Sequence, residues 1–405
     1  MAVLRSIAHM DLDTFFVSCE RKLDSRLIGK PILIGGTSDR GVVASCSYEA
    51  RQFGIHSAMP MKMAKERCPE AIVIKGNSET YSKFSHEVTD IIRESVPVYE
   101  KTSIDEFYMD LTGMDKFFGT MKYASELRQR IFKETGLPIS FGLSQNKTVS
   151  KIATGEAKPN NQLRIDYGSE REFLAPLSIR KIPMVGIKTY QTLCNLGVRK
   201  IQTIQEMPVE MIQSALGENG VTIWKKANGL DNSPVEQYNE RKSISTERTF
   251  DYDTIDVVKL RGILLAMGEN LAFQLRRGQK LTGCITLKIR YSDFQTQTLQ
   301  KQIPYTAADH QLLPVVSDLF ERLYSRRLLV RLIGVRYSSL VSGFHQLNLF
   351  DESLDYAALY NALDHIRLRY GDRSVIRAVG MEARTIGRWN PFSGEPPPLL
   401  ANRRV

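Results

Sequence analysis

Cysteine and tryptophan are scarce in this chain, at five and two of 405 residues. The cysteines (19, 46, 68, 194 and 284) are odd in number, scattered and without a Cys-x-x-Cys pair, which argues against a disulfide framework and against zinc. No apolar run is long enough to span a bilayer, and no signal-peptide layout opens the chain, so a cytoplasmic protein without membrane contact is expected. Acidic residues fall short of basic ones, 45 against 55, for a net charge of +10. That excess points to a polyanionic partner without naming it. It is also local: residues 241–343 hold 16 basic and 9 acidic residues (+7), whereas 1–170, 171–240 and 344–405 each come to +1. A near-neutral region followed by a basic one fits nucleic-acid binding. The length exceeds one ordinary core and predicts two to four domains.

What is present centres on Thr102-Ser103-Ile104-Asp105-Glu106-Phe107-Tyr108-Met109-Asp110. The run reads as a strand or hairpin, with Ile104, Glu106 and Tyr108 on one face and Asp105, Phe107 and Met109 on the other. Adjacent acids in such a run are costly to bury unless compensated, and a divalent cation compensates them. A turn with two solvated acids is the plain alternative. At the amino terminus, Ile7-Ala8-His9-Met10-Asp11 predicts a strand ending at Asp11, with Asp13 as cap of a following helix that carries Phe15, Phe16 and Glu20. If the two strands are neighbours, Asp11, Asp105 and Glu106 meet in one place. Three hard oxygen ligands suit Mg²⁺, with Mn²⁺ as substitute, and nucleotidyl-transfer sites hold two such ions about 3.5–4 Å apart.

Between these motifs, residues 22–76 read as a small inserted module. Its strands are Pro31–Gly36 and Gly41–Ser47, and the helical segment Tyr48–Gly54 places Tyr48 and Arg51 on one face. A phenol and an Arg fork there suit a phosphate chain, though each alone is more often a surface or core-edge residue. Helices over Tyr81–Ser95 and Tyr123–Glu134, a strand over Pro138–Ser144, and a basic helix start at Asn146-Lys147-Thr148 follow. Ala157-Lys158-Pro159-Asn160 closes the region as a turn whose lysine is either solvated or a triphosphate ligand.

In this order, His9-Met10-Asp11-Leu12-Asp13-Thr14-Phe15-Phe16, Ser45-Cys46-Ser47-Tyr48-Glu49-Ala50-Arg51, Ser103-Ile104-Asp105-Glu106, Gly142-Leu143-Ser144-Gln145-Asn146-Lys147, Lys151-Ile152-Ala153 and Ala157-Lys158-Pro159-Asn160 resemble the Y-family (translesion) DNA polymerases. The resemblance runs over most of the chain. It implies an α+β multidomain right hand, with a mixed αβ palm (1–21 and 77–170), small fingers (22–76), a helical thumb (171–232), a linker (233–241), an αβ little finger (242–343) and a tail (344–405). It implies that Asp11, Asp105, Glu106 and the Leu12 carbonyl hold two Mg²⁺ ions, and that Tyr48, Arg51 and Lys158 grip the incoming dNTP. Phe16 takes the family's gate position beneath the sugar. Gly35, Gly36, Gly41, Val42 and Ala44 resemble the small-residue roof over the nascent base pair. No segment resembles a proofreading exonuclease, so error-prone, template-directed synthesis on primer–template DNA by a monomer is implied.

The later regions carry their own signals. Lys181–Thr189 with Asn195-Leu196-Gly197-Val198 resembles a helix-hairpin-helix, but Met184 stands where the first turn glycine is expected and only Gly186 remains. Strands over Lys242–Phe250, Cys284–Tyr291 and Leu332–Tyr337, with helices near 256–277 and 310–326, predict a sheet that is apolar inside (Ile285, Leu287, Ile289) and basic outside (Lys288, Arg290). Gln346-Leu347-Asn348-Leu349-Phe350 resembles the Gln-Leu-x-Leu-Phe peptide that docks on the bacterial sliding clamp, with Gln346, Leu347, Leu349 and Phe350 as contacts. Helical Leu354–Tyr370 and an extended stretch follow it. An idle DNA-binding relative would lack one of the carboxylates, and a nucleotidyl cyclase would need neither the clamp peptide nor the basic domain.

Overall fold

A computed structural model of the chain describes residues 5–38, 40–114, 119–237, 240–343, 353–371 and 374–381. Gln346, Leu347, Leu349 and Phe350 lie outside the described residues. The chain divides into two compact units at residues 239 and 240.

The first unit opens with β1 (Ile7–Leu12) and α1 (Phe15–Leu23). A small module follows, made of β2 (Ile32–Gly35), β3 (Val43–Cys46), α2 (Tyr48–Gln52), α3 (Met61–Arg67) and β4 (Ile72–Ile74), with sheet order β3-β2-β4. Then come α4 (Ser78–Ser95), β5 (Tyr99–Lys101), β6 (Glu106–Asp110), α5 (Thr120–Thr135), β7 (Ile139–Ser144), α6 (Lys147–Ala157) and β8 (Gln162–Arg164). The main sheet runs β5-β6-β1-β7-β8, with β1 antiparallel to both its neighbours.

The sheet is buried on both faces because helices cover both. Ala8, Met10 and Leu12 of β1, with Phe107, Met109 and Phe141, share a core with α1, α4 and α5. Helix α4 supplies Tyr81, Phe84, Val88, Ile91 and Ile92, the three- and four-residue spacing of one helical face, and Asn77 caps it by accepting from the Glu79 and Thr80 N–H groups. Each such side chain contributes about 1.5–3 kcal/mol by its burial. On the other face, α6 lies so close to β7 that a Cβ at Gly142 would sit 2.3 Å from the Ser150 carbonyl oxygen. Glycine at 142 is what lets the helix approach.

Helices α7 (Glu170–Leu174), α8 (Ile187–Asn195), α9 (Ile201–Glu206), α10 (Val209–Leu216) and α11 (Glu218–Ala227) enclose a separate core that includes Leu174, Leu193, Ile201, Ile212 and Ile223 and reaches Val149 and Ile152 of α6. Met184, in the turn before α8, has φ +83° and is 60% exposed. It adopts the left-handed backbone that glycine would take there. The stretch after α11 is bonded to the sheet region. Asp231 accepts from the Thr148 N–H and hydroxyl, Glu100 accepts from the Glu236 N–H, and Arg5 donates to the Ser233 carbonyl.

The second unit comprises β9 (Ser243–Thr254), α12 (Val257–Arg277), β10 (Lys280–Tyr291), β11 (Thr296–Thr306), α13 (Asp309–Leu323), β12 (Val330–Ser342) and α14 (Ser353–Tyr370). Its antiparallel sheet has the order β11-β10-β12-β9. Ile285, Leu287 and Ile289 are fully buried in one core with α12 and α13, as the alternation predicts. Strand β11 lies outside the strands that the sequence predicts. It is an edge strand, TQTLQKQIPYT, whose polar residues face outward and whose inward signal is only the partly buried Leu299 and Ile303.

Candidate active site

Antiparallel pairing decides which side chains meet. Asp11 stands opposite Glu106 and His9 opposite Tyr108, so these four share one face of the β1–β6 pair. The strand reading of 102–110 needs one correction: β6 starts at Glu106, and Asp105 sits in the bend before it. That bend is held by Ser103, whose hydroxyl donates to Asp105 Oδ1 at 2.5 Å and accepts the N–H groups of Asp105 and Glu106. The Asp105 carbonyl accepts from the Leu12 N–H at 3.1 Å, which ties the acidic turn to the end of β1. Asp11, Leu12, Asp105 and Glu106 are thereby brought together.

Lysines neutralise this cluster. Lys158 Nζ lies 2.6 Å from Asp11 Oδ1, and Lys151 Nζ lies 2.6 Å from Glu106 Oε2. Burial pushes the Asp11 carboxyl up to about 7 against the pull of Lys158, with Asp105 and Glu106 adding to the rise. Burial likewise raises Asp105, with Ser103 opposing and Glu106 reinforcing. His9 Nδ1 is 2.9 Å from the Thr154 hydroxyl, and its Nε2 is 4.0 Å from Glu106. Burial, with Lys151, Lys158 and Lys147 adding to it, holds that imidazole well below its ordinary value, so it is neutral.

Partly exposed hard oxygens crowded together, with an acid that ionises only near neutrality, are a donor set that fits divalent cations. Among the described residues, no group of three or more His, Cys, Asp or Glu side chains is already arranged to hold a metal ion. The ammonium groups of Lys158 and Lys151 occupy the positions of positive charge instead.

Asp13 does not cap α1. The residue preceding that helix is Thr14, in the left-handed region and without a side-chain cap bond. The Asp13 carboxylate is 1% exposed and accepts from Ser140 Oγ (2.8 Å), the Asn160 N–H (2.7 Å) and the Tyr48 hydroxyl (3.3 Å). The sequence reading missed this role, and that of Lys151, because neither follows from local spacing.

Tyr48 and Arg51 do share a face, with the guanidinium 5.2 Å from the phenol ring centroid. Burial and the Asp13 carboxylate push the Tyr48 phenol up, which keeps it a hydrogen-bond donor. Phe16 stacks on Tyr81 at 4.6 Å, and the Tyr81 hydroxyl donates to Glu20 at 2.6 Å. Of the expected roof residues, Val42 and Ala44 are exposed while Val43 points inward. A Cβ at Gly36 would lie 3.0 Å from Gly41 Cα, so small residues here also satisfy backbone packing.

Comparison with known proteins agrees with this geometry. Residues 10–155 match the impB/mucB/samB family and residues 241–349 match the impB/mucB/samB family C-terminal domain. The chain is 39% identical over 376 residues to DNA polymerase IV of Dehalococcoides mccartyi strain BAV1, covering 92% of this chain and 96% of the relative. It is 33% identical to DNA polymerase IV of Treponema denticola, over 83% of this chain and 85% of that one. Among solved structures, a Y-family DNA polymerase chimera of Dbh and Dpo4 matches with a TM-score of 0.72 and 26% identity, covering 84% of this chain and all of the chimera. The five-stranded sheet with its acidic turn, the small three-stranded module, the helical cluster and the αβ unit are all present, and the chain belongs to the impB/mucB/samB family, the Y-family of DNA polymerases, alongside DNA polymerase IV.

Proposed function

We propose that Asp11, Asp105, Glu106 and the Leu12 carbonyl form the metal-binding set of this DNA-directed, translesion DNA polymerase, holding two Mg²⁺ ions. The observation that carries this is the Asp11–Glu106 pair across β1 and β6, with Asp105 tied to the end of β1. Divalent metal, when bound, lowers the pKa of the primer hydroxyl and offsets charge on the phosphates. The chain's own residues do the rest. Lys158, Arg51 and the Tyr48 hydroxyl bind and orient the incoming triphosphate, and their positive charge and donors offset the charge that gathers on the leaving pyrophosphate. Phe16, backed by Tyr81, blocks a 2′-hydroxyl. The exposed Val42 and Ala44 cover the nascent pair with little side chain, which suits tolerance of damaged or mismatched templates.

Residues 1–21 and 77–170 serve as palm, 22–76 as fingers, 171–232 as thumb, 233–241 as linker and 242–343 as little finger. The outer face of β10, with Lys288 and Arg290, and the local charge of +7 support binding along duplex backbone without sequence readout. Gln346, Leu347, Leu349 and Phe350 dock on the sliding clamp, and the protein works as a cytoplasmic monomer. Primer extension with Mg²⁺ on undamaged and damaged templates tests the site. Asp105→Ala or Asp11→Ala should abolish extension while primer–template binding persists. Extension that survives Asp105→Ala would refute the assignment. Adding clamp should stimulate the wild type but not a Leu349→Ala, Phe350→Ala double variant.

A further inference from the structure

One buried carboxylate joins the end of β1 to α2, β7 and the turn at 158–160. Asp13 follows β1 directly, two residues after Asp11. It receives the Tyr48 hydroxyl from α2, the Ser140 hydroxyl from β7 and the Asn160 N–H from the turn that carries Lys158. Ser140 is shared, since it also accepts the Asn161 N–H at 3.2 Å, and Arg128 holds the Asn160 side chain at 2.8 Å. Lys158 Nζ approaches Asp13 Oδ1 to 3.9 Å while it pairs with Asp11. Asp13 thus hydrogen-bonds both Tyr48 and the Lys158–Asn160 turn.

We propose that Asp13 is a positioning residue for nucleotide binding, setting Tyr48 and Lys158 at a fixed separation on either side of Asp11. The proposal rests on the reading of Tyr48 and Lys158 as triphosphate ligands. Its chemistry explains why an acid is needed and an isosteric amide will not serve. Every group facing Asp13 is a donor or a cation, and a carboxylate has acceptor sites enough for all of them. In Asp13→Asn one oxygen becomes an NH₂. Placed at Oδ2 it confronts the Asn160 N–H, and placed at Oδ1 it confronts the Lys158 ammonium, while the Tyr48 hydroxyl turns to accept from it. Either orientation loosens the turn that carries Lys158.

The test is single-nucleotide incorporation with the full chain, varying dNTP and Mg²⁺ separately. Alongside it, the dNTP concentration that half-forms a ternary complex on a dideoxy-terminated primer is measured. Asp13→Asn should raise the dNTP KM and the ternary-complex midpoint by about 10- to 100-fold, the loss of one or two hydrogen bonds to a charged group. kcat should change by only a few fold, and the Mg²⁺ midpoint and primer–template affinity should stay put. Ser140→Ala removes one donor and leaves the charge in place. It should raise the dNTP KM by about 3- to 10-fold even if Asp13→Asn folds poorly. Lys158→Ala, measured in parallel, separates the two readings. If Lys158→Ala raises the dNTP KM while Asp13→Asn and Ser140→Ala do not, the positioning role is wrong and the triphosphate grip stands. If Lys158→Ala leaves it unmoved, the grip fails and the positioning role falls with it. A fall in kcat with an unchanged dNTP KM in the Asp13 variant also overturns the proposal.

Discussion

Replacing Arg367 by methionine should destabilise the second unit strongly, although Arg367 lies on α14, beyond the sheet that forms that unit's centre. Its side chain is 3% exposed and its guanidinium lies 2.6 Å from Glu269 on α12, with a further contact to Asp364 and bonds to the Val375 carbonyl. Next to it, Arg276 of α12 spans Asp309 of α13 (2.7 Å) and Asp364 of α14 (2.6 Å). Helix α14 is therefore clasped to α12 and α13 by alternating charges. Arg367→Met keeps most of the apolar stem but leaves Glu269 with only Arg377, at 3.8 Å and half-exposed. Breaking a buried pair from one side costs about 3–5 kcal/mol, and the residual Arg377 contact favours the lower end. For a unit of this size about 3 kcal/mol corresponds to roughly 6–12 °C in Tm. Hydrogen exchange of the α12 amides, read beside the melting curve, localises the loss to this unit. Adding Glu269→Leu should restore stability to within about 1–2 kcal/mol, because an apolar replacement of the whole pair removes the stranded charge. If Arg367→Met costs under 1 kcal/mol, the clasp is ornamental and α14 is a loosely attached tail.

Three further outcomes follow from the geometry. On the proposed gate role, Phe16→Ala should raise ribonucleotide incorporation relative to dNTP by about 10- to 100-fold, read from competition on one template, the removal of a clash of roughly 1–3 kcal/mol. Burial lowers the Lys101 ammonium from 10.5 to about 8, where it donates to Ser85 and Thr89. Between those two values the unfolded chain binds more protons than the folded one, so this lysine's contribution to stability rises with pH. Denaturant titrations should show wild type gaining about 2 kcal/mol on Lys101→Met from pH 8 to pH 10.5, after discounting for partial exposure. Met184→Gly should raise the stability of the α7–α11 cluster by about 0.5–1 kcal/mol, because relief of a left-handed backbone (about 1–2 kcal/mol) exceeds the added chain entropy of glycine. A loss of stability would mean that the exposed Met184 side chain makes contacts worth more than that relief.

The parts of the fold legible in the sequence were those with strong periodicity. Helix α4 shows its face at three- and four-residue spacing, and β10 alternates Ile285, Leu287 and Ile289 with polar residues. Strand β11 was illegible because an edge strand buries one face thinly, and Gln and Thr fill its exposed positions. At the site, the carboxylates could be named from the sequence because adjacent acids in an apolar run are expensive without compensation. What compensates them here could not. Lys151 is 45 residues from Glu106, and only the packing of α6 on the sheet brings them together. Asp13 misled for a physical reason: an aspartate before a helix is ordinarily a cap, yet Ser140 and Asn160, more than a hundred residues away, outbid the local N–H groups.

Those distant partners explain how so much negative charge is kept at one end of a buried sheet. Burial raises the proton affinity of Asp11 and Asp105, and the neighbouring carboxylates add to it, so those two acids alone would favour a partly protonated state. Lys158 and Lys151 oppose that by direct contact, and both sit on or just after α6, the helix whose close approach depends on Gly142. An ammonium on a flexible stem leaves the carboxylate oxygens ionised and able to exchange partners, whereas a proton must first be removed. The same helix packing that stabilises the sheet therefore also places the two lysines against the acidic cluster, and a bulky residue at 142 would weaken both at once.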